Sequence, residues 1–153
     1  MKTFQLSDID RKILSELQRN GRVPFTELAQ RLNIPTSTCH SRIRSLESSG
    51  VIRGYTVDVN PESVGAVVQA LILLRVLPYQ REQIPELTET LRKIPGVQRL
   101  FLIGGDKDFV LHVSCPSVPE LRDLIANHLG SNRALDQSQT QIVFEYHSGE
   151  HPV

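Results

Sequence analysis

The chain has 153 residues, of which 39% are hydrophobic and 22% are charged, and its formal net charge is zero. The longest apolar run, residues 70–74, is too short to cross a bilayer, and the first residues contain no apolar segment typical of a secretory signal. With two cysteines and no CxxC spacing, neither a disulfide framework nor a structural zinc site is expected, and we predict a protein of the reducing cytosol.

Three short helices are predicted in the first third of the chain. The first begins after Ser7 or Asp8, which are both suitable N-caps, and ends at the Asn-Gly pair of residues 20–21. Between these limits the apolar residues follow helical spacing. Residues 25–32 and 36–50 are predicted as the second and third helices, and the turn of about four residues between them is typical of a helix-turn-helix.

The segment after the third helix becomes extended over residues 51–59, and Gly54 is the expected tip of a small wing. We therefore predict a winged helix-turn-helix domain over residues 1–55. Residues 56–68 contain the breakers Asn60-Pro61 and are interpreted as a linker.

The hydrophobic pattern then alternates between strand and helix periods. Its order is that of a ferredoxin-like βαββαβ domain, predicted over residues 69–147 and followed by a short tail at 148–153. The fold class is thus α+β, with a winged helix-turn-helix joined to a ferredoxin-like domain. The predicted strands lie at residues 69–76, 97–104, 109–115 and 139–147, and the predicted helices at 81–96 and 117–131.

The third helix has a polar face that suits the major groove of double-stranded DNA. At about 100° per residue, Cys39, Ile43 and Leu46 share one apolar face. The opposite face presents short hydrogen-bonding side chains and Arg44, which could hold a guanine edge. Residues 1–60 contain nine Lys and Arg against six Asp and Glu, so this half of the chain is basic and the remainder acidic. The predicted base-facing residues are Ser37, Thr38, His40, Ser41 and Arg44.

Further residues are predicted to contact phosphate: Arg22, Thr36, Arg42 and Arg53. The alternative is a plain amphipathic helix with a solvated polar face and ordinary surface arginines. The helix-turn-helix spacing, the wing glycine and the local positive charge together favour DNA binding.

Four stretches closely resemble the Lrp/AsnC family, the leucine-responsive and asparagine-responsive transcription regulators: DIDRKILSELQRNGR, ELAQRLNIP, STCHSRIRSLESSGVIRGY and IGGDKDFVLHV. The resemblance extends over residues 6–147 in the family's domain order. It implies a DNA-binding domain, a ferredoxin-like module that senses amino acids, and control of amino-acid metabolism. It also implies homo-oligomers, namely dimers formed by packing two sheets together, which are often gathered into octamers.

The helix-turn-helix departs from the family pattern at three positions. Pro24 and Pro35 stand where a Ser usually caps the second and third helices, and a Pro side chain cannot accept the cap hydrogen bond. The third helix is therefore expected to start at Thr36. Asn33 replaces a common Gly in the turn, where Asn tolerates left-handed backbone.

The loop Gly104-Gly105-Asp106-Lys107-Asp108 separates two predicted strands. A phosphate loop is excluded because a strand follows it, and a calcium loop would need further oxygen ligands. From the residues alone, a plain hairpin turn is favoured. The resemblance implies that the hairpin lines an amino-acid effector site between dimers. Backbone N–H groups would bind the effector's carboxylate, and Asp106 or Asp108 its ammonium group.

The resemblance and the strand pattern add Leu100, Leu102 and Thr140 to this site. The complete predicted effector set is Leu100, Leu102, Gly104, Gly105, Asp106, Asp108 and Thr140, and no metal or other cofactor is expected. Gly104 lacks a hydroxyl group that many members have, and Lys107 stands where an aromatic residue is common. The identity of the amino acid therefore stays open.

The sequence leaves two other classes of function open. Ferredoxin-like modules also occur in enzymes and in their amino-acid-binding regulatory domains, but no histidine has a nucleophile partner in the sequence, so no catalytic residue is predicted. A redox-responsive DNA-binding regulator would use Cys39 in the third helix. The position of Cys39 on the apolar face favours packing instead.

Overall fold

The computed structural model describes residues 5–147 and 149 of the chain. Within this part the protein forms two compact units, and the boundary between them falls between Asp58 and Val59. Residues 1–4 of the predicted N-terminal domain lie outside the described residues. The predicted tail does so too, apart from Gly149.

The first unit contains three helices: α1 (Asp8–Arg19), α2 (Phe25–Arg31) and α3 (Thr36–Ser48). Ser7 is the N-cap of α1, and it forms a capping box with Asp10, in which each side chain accepts a hydrogen bond from the other residue's N–H group. The helices enclose a small core formed by Ile13, Leu17, Val23, Leu28, Ala29, Cys39, Ile43 and Leu46.

The predictions for the two prolines and for Asn33 are confirmed. Pro24 and Pro35 occupy the N-cap positions of α2 and α3 without a side-chain hydrogen bond, and α3 begins at Thr36. Asn33, in the turn between these helices, has a φ of 53°, which is left-handed backbone.

Residues 51–60, which follow α3 and contain the predicted wing with Gly54, include no β-strand. The Ile52 N–H donates to the carbonyl of Leu46 at 3.0 Å, and Tyr55 donates its hydroxyl to the Glu47 carboxylate at 2.9 Å. The segment is therefore held to the end of α3 by these bonds and by packing of Ile52 on the helical core, rather than by a strand ladder.

The second unit is a four-stranded antiparallel sheet with helices on one face. The strands are β1 (Val68–Val76), β2 (Val97–Leu102), β3 (Phe109–Cys115) and β4 (Leu135–Val143), and the helices are α4 (Ile84–Leu91) and α5 (Val118–Leu124). The strands lie side by side in the order β2-β3-β1-β4, and each helix connects two strands, which gives the predicted βαββαβ arrangement.

Both helices of this unit are shorter than the sequence predicts. A 3-10 turn over Pro78–Gln83 precedes α4, which carries a proline in its first turn. A π-helical turn over Ile125–Leu129 continues α5. Among the described residues, no helix is long and apolar enough to cross a membrane.

One face of the sheet packs against α4 and α5. Ile72 of β1 lies opposite Leu111 of β3, which lies opposite Leu100 of β2, so these side chains share that face. The buried core there is formed by residues of β1, β3, the helices and the segments next to them: Ala70, Ile72, Leu74, Val76, Leu87, Leu91, Ile94, Phe109, Leu111, Val113, Cys115, Leu121, Leu124, Leu129 and Ala134.

The predicted position of the last strand, residues 139–147, is wrong. β4 covers Leu135–Val143 and pairs with β1 from Val76 opposite Leu135 to Gln69 opposite Val143. It is an edge strand whose central residues are all exposed, so its sequence, LDQSQTQIV, lacks the alternation that reveals a half-buried strand. Backbone pairing, not burial, determines where it lies.

Candidate nucleic-acid interface and effector site

The helical core fixes which face of α3 meets solvent. Cys39, Ile43 and Leu46 are at most 1% exposed, so the opposite face of the helix points outward. Thr38 is half-buried at the edge of this face. The other predicted base-facing residues and the first residue of the helix are exposed: Thr36, Ser37, His40, Ser41 and Arg44. The structure therefore brings the predicted reading residues together on one surface.

Three predicted contact arginines are available to an anion. Arg22, Arg44 and Arg53 are exposed, and within residues 5–147 none of them forms an ion pair. The ring of His40 makes an edge contact with the ring of Phe25 in α2, with centroids 4.8 Å apart. The contact with α2 thus partly orients the His40 ring, and His40 remains exposed to solvent.

The N-terminus of α3 adds hydrogen-bond donors to the same surface. The first helical hydrogen bond runs from Cys39 N–H to the Pro35 carbonyl at 3.0 Å. Since Pro35 supplies no side-chain cap, the amides of Thr36, Ser37 and Thr38 are left for an external acceptor. Such amides suit a phosphate oxygen.

Arg42 differs from the other predicted phosphate contacts. Its Nη1 lies 3.4 Å from a carboxylate oxygen of Asp10 and 3.3 Å from the hydroxyl of Ser7, both at the start of α1. The structure thus turns this guanidinium toward the protein. The pairing joins residues that are far apart in sequence, which is why helical periodicity alone could not reveal it.

The hairpin between β2 and β3 has an exposed glycine turn. The Ile103 N–H donates to the Asp108 carbonyl at 2.9 Å and closes the loop, and Gly105 has a φ of 129°. Gly104, Gly105 and Asp106 are exposed, and in the described part of the chain their amides donate to no backbone carbonyl. The turn therefore offers free N–H groups beside the Asp106 carboxylate.

Asp108 is held inside the protein rather than presented to solvent. It is 8% exposed, and its Oδ2 accepts a hydrogen bond from the Val76 N–H at 2.8 Å. Its Oδ1 lies 3.4 Å from Nη2 of Arg81. Because both carboxylate oxygens have partners, Asp108 ties the start of β3 to the end of β1, whereas Asp106 is exposed in the turn.

The remaining predicted effector residues do not form one cavity with the hairpin in a single chain. Leu100 packs against the core, while Leu102 on the same face is 58% exposed. Thr140 is exposed on β4, at the opposite edge of the sheet from β2. With strands about 4.8 Å apart, these edges are separated by roughly 14 Å.

Lys107 reaches toward β4 from the hairpin. Its Nζ donates to Oε1 of Gln137 at 3.0 Å, and the residue is half-buried. The ammonium group therefore has a neutral partner and keeps its charge close to the glycine turn. The sequence did not indicate Gln137 as a partner of Lys107, because Gln137 lies before the last strand as it was predicted, residues 139–147.

Two further titratable groups, Cys39 and His112, are affected by burial. In the described part of the chain, no group of three or more His, Cys, Asp or Glu could hold a metal ion. Burial raises the pKa of the Cys39 thiol, which makes the reactive thiolate scarce. His112 contacts the Gln69 side chain at 2.9 Å, and burial together with the charge of Arg99 lowers the pKa of His112.

Comparison with protein families assigns both units. A family model described as winged helix-turn-helix DNA-binding matches residues 6–53. A second model, the Lrp/AsnC ligand binding domain, matches residues 69–152. Together the two models cover most of the chain in the order that the structure shows.

Individual relatives agree with these matches. The HTH-type transcriptional regulator AldR of Mycolicibacterium smegmatis is 35% identical, over 100% of this chain and 90% of the relative. The HTH-type transcriptional regulator FL11 of Pyrococcus furiosus is 34% identical, over 93% of this chain and 91% of the relative. A crystal structure of a transcriptional regulator from Neisseria meningitidis in complex with L-Met superimposes with a TM-score of 0.86, at 29% identity and 97% coverage of both chains.

Proposed function

Since the chain belongs to the Lrp/AsnC family of transcriptional regulators, we propose that it reads specific duplex DNA through α3 and that a free amino acid at the β2–β3 hairpin controls its assembly on that DNA. The reading of DNA is supported by the exposed polar face of α3, with the guanidinium of Arg44, which forms no ion pair within residues 5–147, at its centre. The binding of an amino acid is supported by the exposed glycine turn beside Asp106.

Base recognition is assigned to Arg44, and phosphate binding to Arg22. A guanidinium on the outward face of α3 can make two hydrogen bonds to a guanine edge, whereas Arg22 lies outside the helix and can only add positive charge near the backbone. Arg44→Ala therefore costs affinity for the preferred sequence, by about 1–3 kcal/mol, with little loss on scrambled DNA. Arg22→Ala weakens binding to all sequences alike.

Fluorescence anisotropy tests this assignment on a duplex selected from a random pool and on its scrambled version. Both duplexes are titrated at several salt concentrations, because phosphate contacts make affinity salt-dependent. Arg19→Ala is the matched control, since it removes an exposed arginine from the same unit at a position assigned to no contact. Equal losses on both duplexes for Arg44→Ala would refute its role as a base reader.

The effector is proposed to be an amino acid because the hairpin complements a zwitterion. Free amides at residues 104–106 suit a carboxylate, and the Asp106 carboxylate suits an ammonium group. We propose that the neighbouring Lys107, whose ammonium donates to Gln137, helps to select the effector's side chain. The complex of the Neisseria meningitidis regulator with L-Met supports an amino acid as ligand for this chain.

Isothermal titration against the twenty amino acids tests this part. We expect at least one to bind, and Asp106→Asn to weaken its binding while Asp136→Asn, which removes another exposed carboxylate of the same unit, does not. Absence of binding by every amino acid would refute the effector proposal and leave the DNA-binding proposal standing.

Assembly is proposed to occur through the sheet face that the helices leave uncovered. That face carries half-buried Leu71, Leu73 and Val110 together with Phe101, which is 48% exposed. Apolar side chains on an open sheet face favour packing against a second sheet. A dimer formed in this way presents two copies of α3 to DNA, and contacts between dimers at the hairpins link effector binding to larger assemblies. The regulated genes are proposed to serve amino-acid metabolism.

A further inference from the structure

The position of Arg42 separates it from the surface that meets DNA. At about 100° per residue, Arg42 lies roughly 130° around α3 from the centre of the polar face that carries Ser41 and Arg44. It lies instead beside the buried seam, on the side of α1, and its Nη1 is 3.4 Å from each carboxylate oxygen of Asp10. The side chain of Arg42 is 44% exposed and that of Asp10 only 4%.

Asp10 is a rigid anchor for this contact. Its Oδ2 accepts hydrogen bonds from the Ser7 N–H at 2.9 Å and from the Ser7 hydroxyl at 2.6 Å. Burial alone would raise the pKa of Asp10. The hydrogen bonds from Ser7 and the nearby charge of Arg42 outweigh burial and hold this pKa below its usual value. The carboxylate is therefore ionised at neutral pH and fixed in place by the cap of α1.

Removing Arg42 from this contact has a cost. Asp10 would keep its bonds to Ser7, but its buried negative charge would lose its cationic partner. A contact between Arg42 and a DNA phosphate would stabilise the complex only if it were stronger than the contact with Asp10 that it replaced. The geometry thus favours Arg42 staying bound to α1 when the protein is on DNA.

We infer that Arg42 is a positioning residue, not a phosphate contact: with Asp10 and Ser7 it anchors α3 to the start of α1 and so sets the angle at which the polar face of α3 is presented. This inference rests on the proposed reading of DNA by α3. It replaces the phosphate role that the sequence suggests for Arg42, and it assigns to the start of α1 an indirect part in sequence preference.

The test compares Arg42→Gln and Asp10→Asn with a matched control, Arg31→Gln. Arg31 also joins a helix to α1, through a 2.9 Å contact between its Nη1 and Oε2 of Glu16, but it belongs to α2. Affinity is measured on the selected and the scrambled duplex at several salt concentrations. We expect Arg42→Gln to lower the ratio of selected to scrambled affinity by about tenfold, with the salt dependence unchanged. Asp10→Asn should change the ratio in the same direction, and the double variant should be no worse than the stronger single variant.

A phosphate contact predicts the opposite pattern. Asp10→Asn would release Arg42 and strengthen binding to every sequence. Arg42→Gln would weaken binding to both duplexes equally and reduce the salt dependence by about one phosphate contact. Either result would overturn the inference. General destabilisation would also lower both affinities together, so the ratio separates positioning from misfolding.

Hydrogen exchange gives a readout that does not depend on DNA. We expect faster exchange of the α3 amides in Arg42→Gln than in the parent protein or in Arg31→Gln, because α3 loses its polar contact with α1 and keeps only the packing of the helical core. Unchanged exchange in α3 would overturn the inference. A parent protein without any sequence preference but with the expected exchange pattern would instead refute the proposed DNA reading and leave the anchoring of α3 intact.

Discussion

Replacement of Asp108 measures how much the hairpin depends on its buried carboxylate. In Asp108→Ala the Val76 N–H loses the acceptor that it contacts at 2.8 Å, and Val76 itself is fully buried. A buried donor without a partner costs about 1–3 kcal/mol. The lost pair with Arg81 adds at most about 1 kcal/mol, because the Arg81 side chain is 55% exposed and solvent screens it. We therefore expect Asp108→Ala to lower the free energy of unfolding by about 1–4 kcal/mol.

Asp108→Asn separates these two contributions. The amide oxygen of Asn can still accept from the Val76 N–H, so only the ion pair is lost and the expected cost is about 1 kcal/mol or less. Asp106→Ala, at an exposed position of the same turn, should change stability by no more than about 0.5 kcal/mol. The pair of aspartates thus distinguishes a structural carboxylate from one available to a ligand.

Urea denaturation followed by far-UV circular dichroism gives these free energies, and it suits a chain without tryptophan. All variants are compared at one protein concentration, because assembly contributes to apparent stability. Equal and small losses for Asp108→Ala and Asp106→Ala would refute the structural role of Asp108. A loss in Asp108→Asn as large as that in Asp108→Ala would show that the ion pair, not the backbone hydrogen bond, dominates.

Three further predictions concern glycine geometry, the thiol and pH. Gly96→Ala should cost more than about 1 kcal/mol in urea denaturation, because Gly96 has a φ of 91° and an added Cβ would lie 3.0 Å from the Ser114 carbonyl oxygen. Mild peroxide should leave DNA affinity unchanged, because Cys39 is 0% exposed and burial raises the pKa of its thiol; a loss that Cys39→Ala prevents would favour redox control. Burial and the charge of Arg99 lower the pKa of His112 below its ordinary value of 6.5, so the unfolded chain binds more protons just below that pH. Acidification from about pH 7.5 to about pH 5.5 should therefore destabilise the protein, and His112→Gln should reduce this loss; an unchanged pH dependence would contradict it.

The helices and most strands could be predicted from sequence because their burial is periodic. The apolar seam of α3 at Cys39, Ile43 and Leu46 predicted its orientation, and the residues opposite that seam are those that the structure exposes. The same logic failed for β4, whose residues are held by backbone pairing to β1 and bury little apolar surface. Over residues 51–60 no strand forms, and contacts such as that of Tyr55 with Glu47 hold this segment to α3.

The chemistry of individual polar residues was less predictable, because it depends on contacts between distant parts of the chain. Asp106 and Asp108 look equivalent in sequence, yet only Asp108 is buried against Val76 and Arg81. Arg42 and Arg44 are neighbours on one helix, yet Arg42 alone is paired with Asp10. In both pairs, a residue that resembles a ligand contact proves to hold the surrounding structure.

Control of DNA binding by an amino acid is tested most directly by the affinity for the selected duplex with and without each amino acid. It is measured by anisotropy at fixed protein concentration, while sedimentation velocity records the size of the assembly. We predict that at least one amino acid changes both the affinity and the assembly, and that DNA changes the affinity for that amino acid by the same factor, as linkage requires. Identical affinities and identical assembly sizes with every amino acid would contradict it.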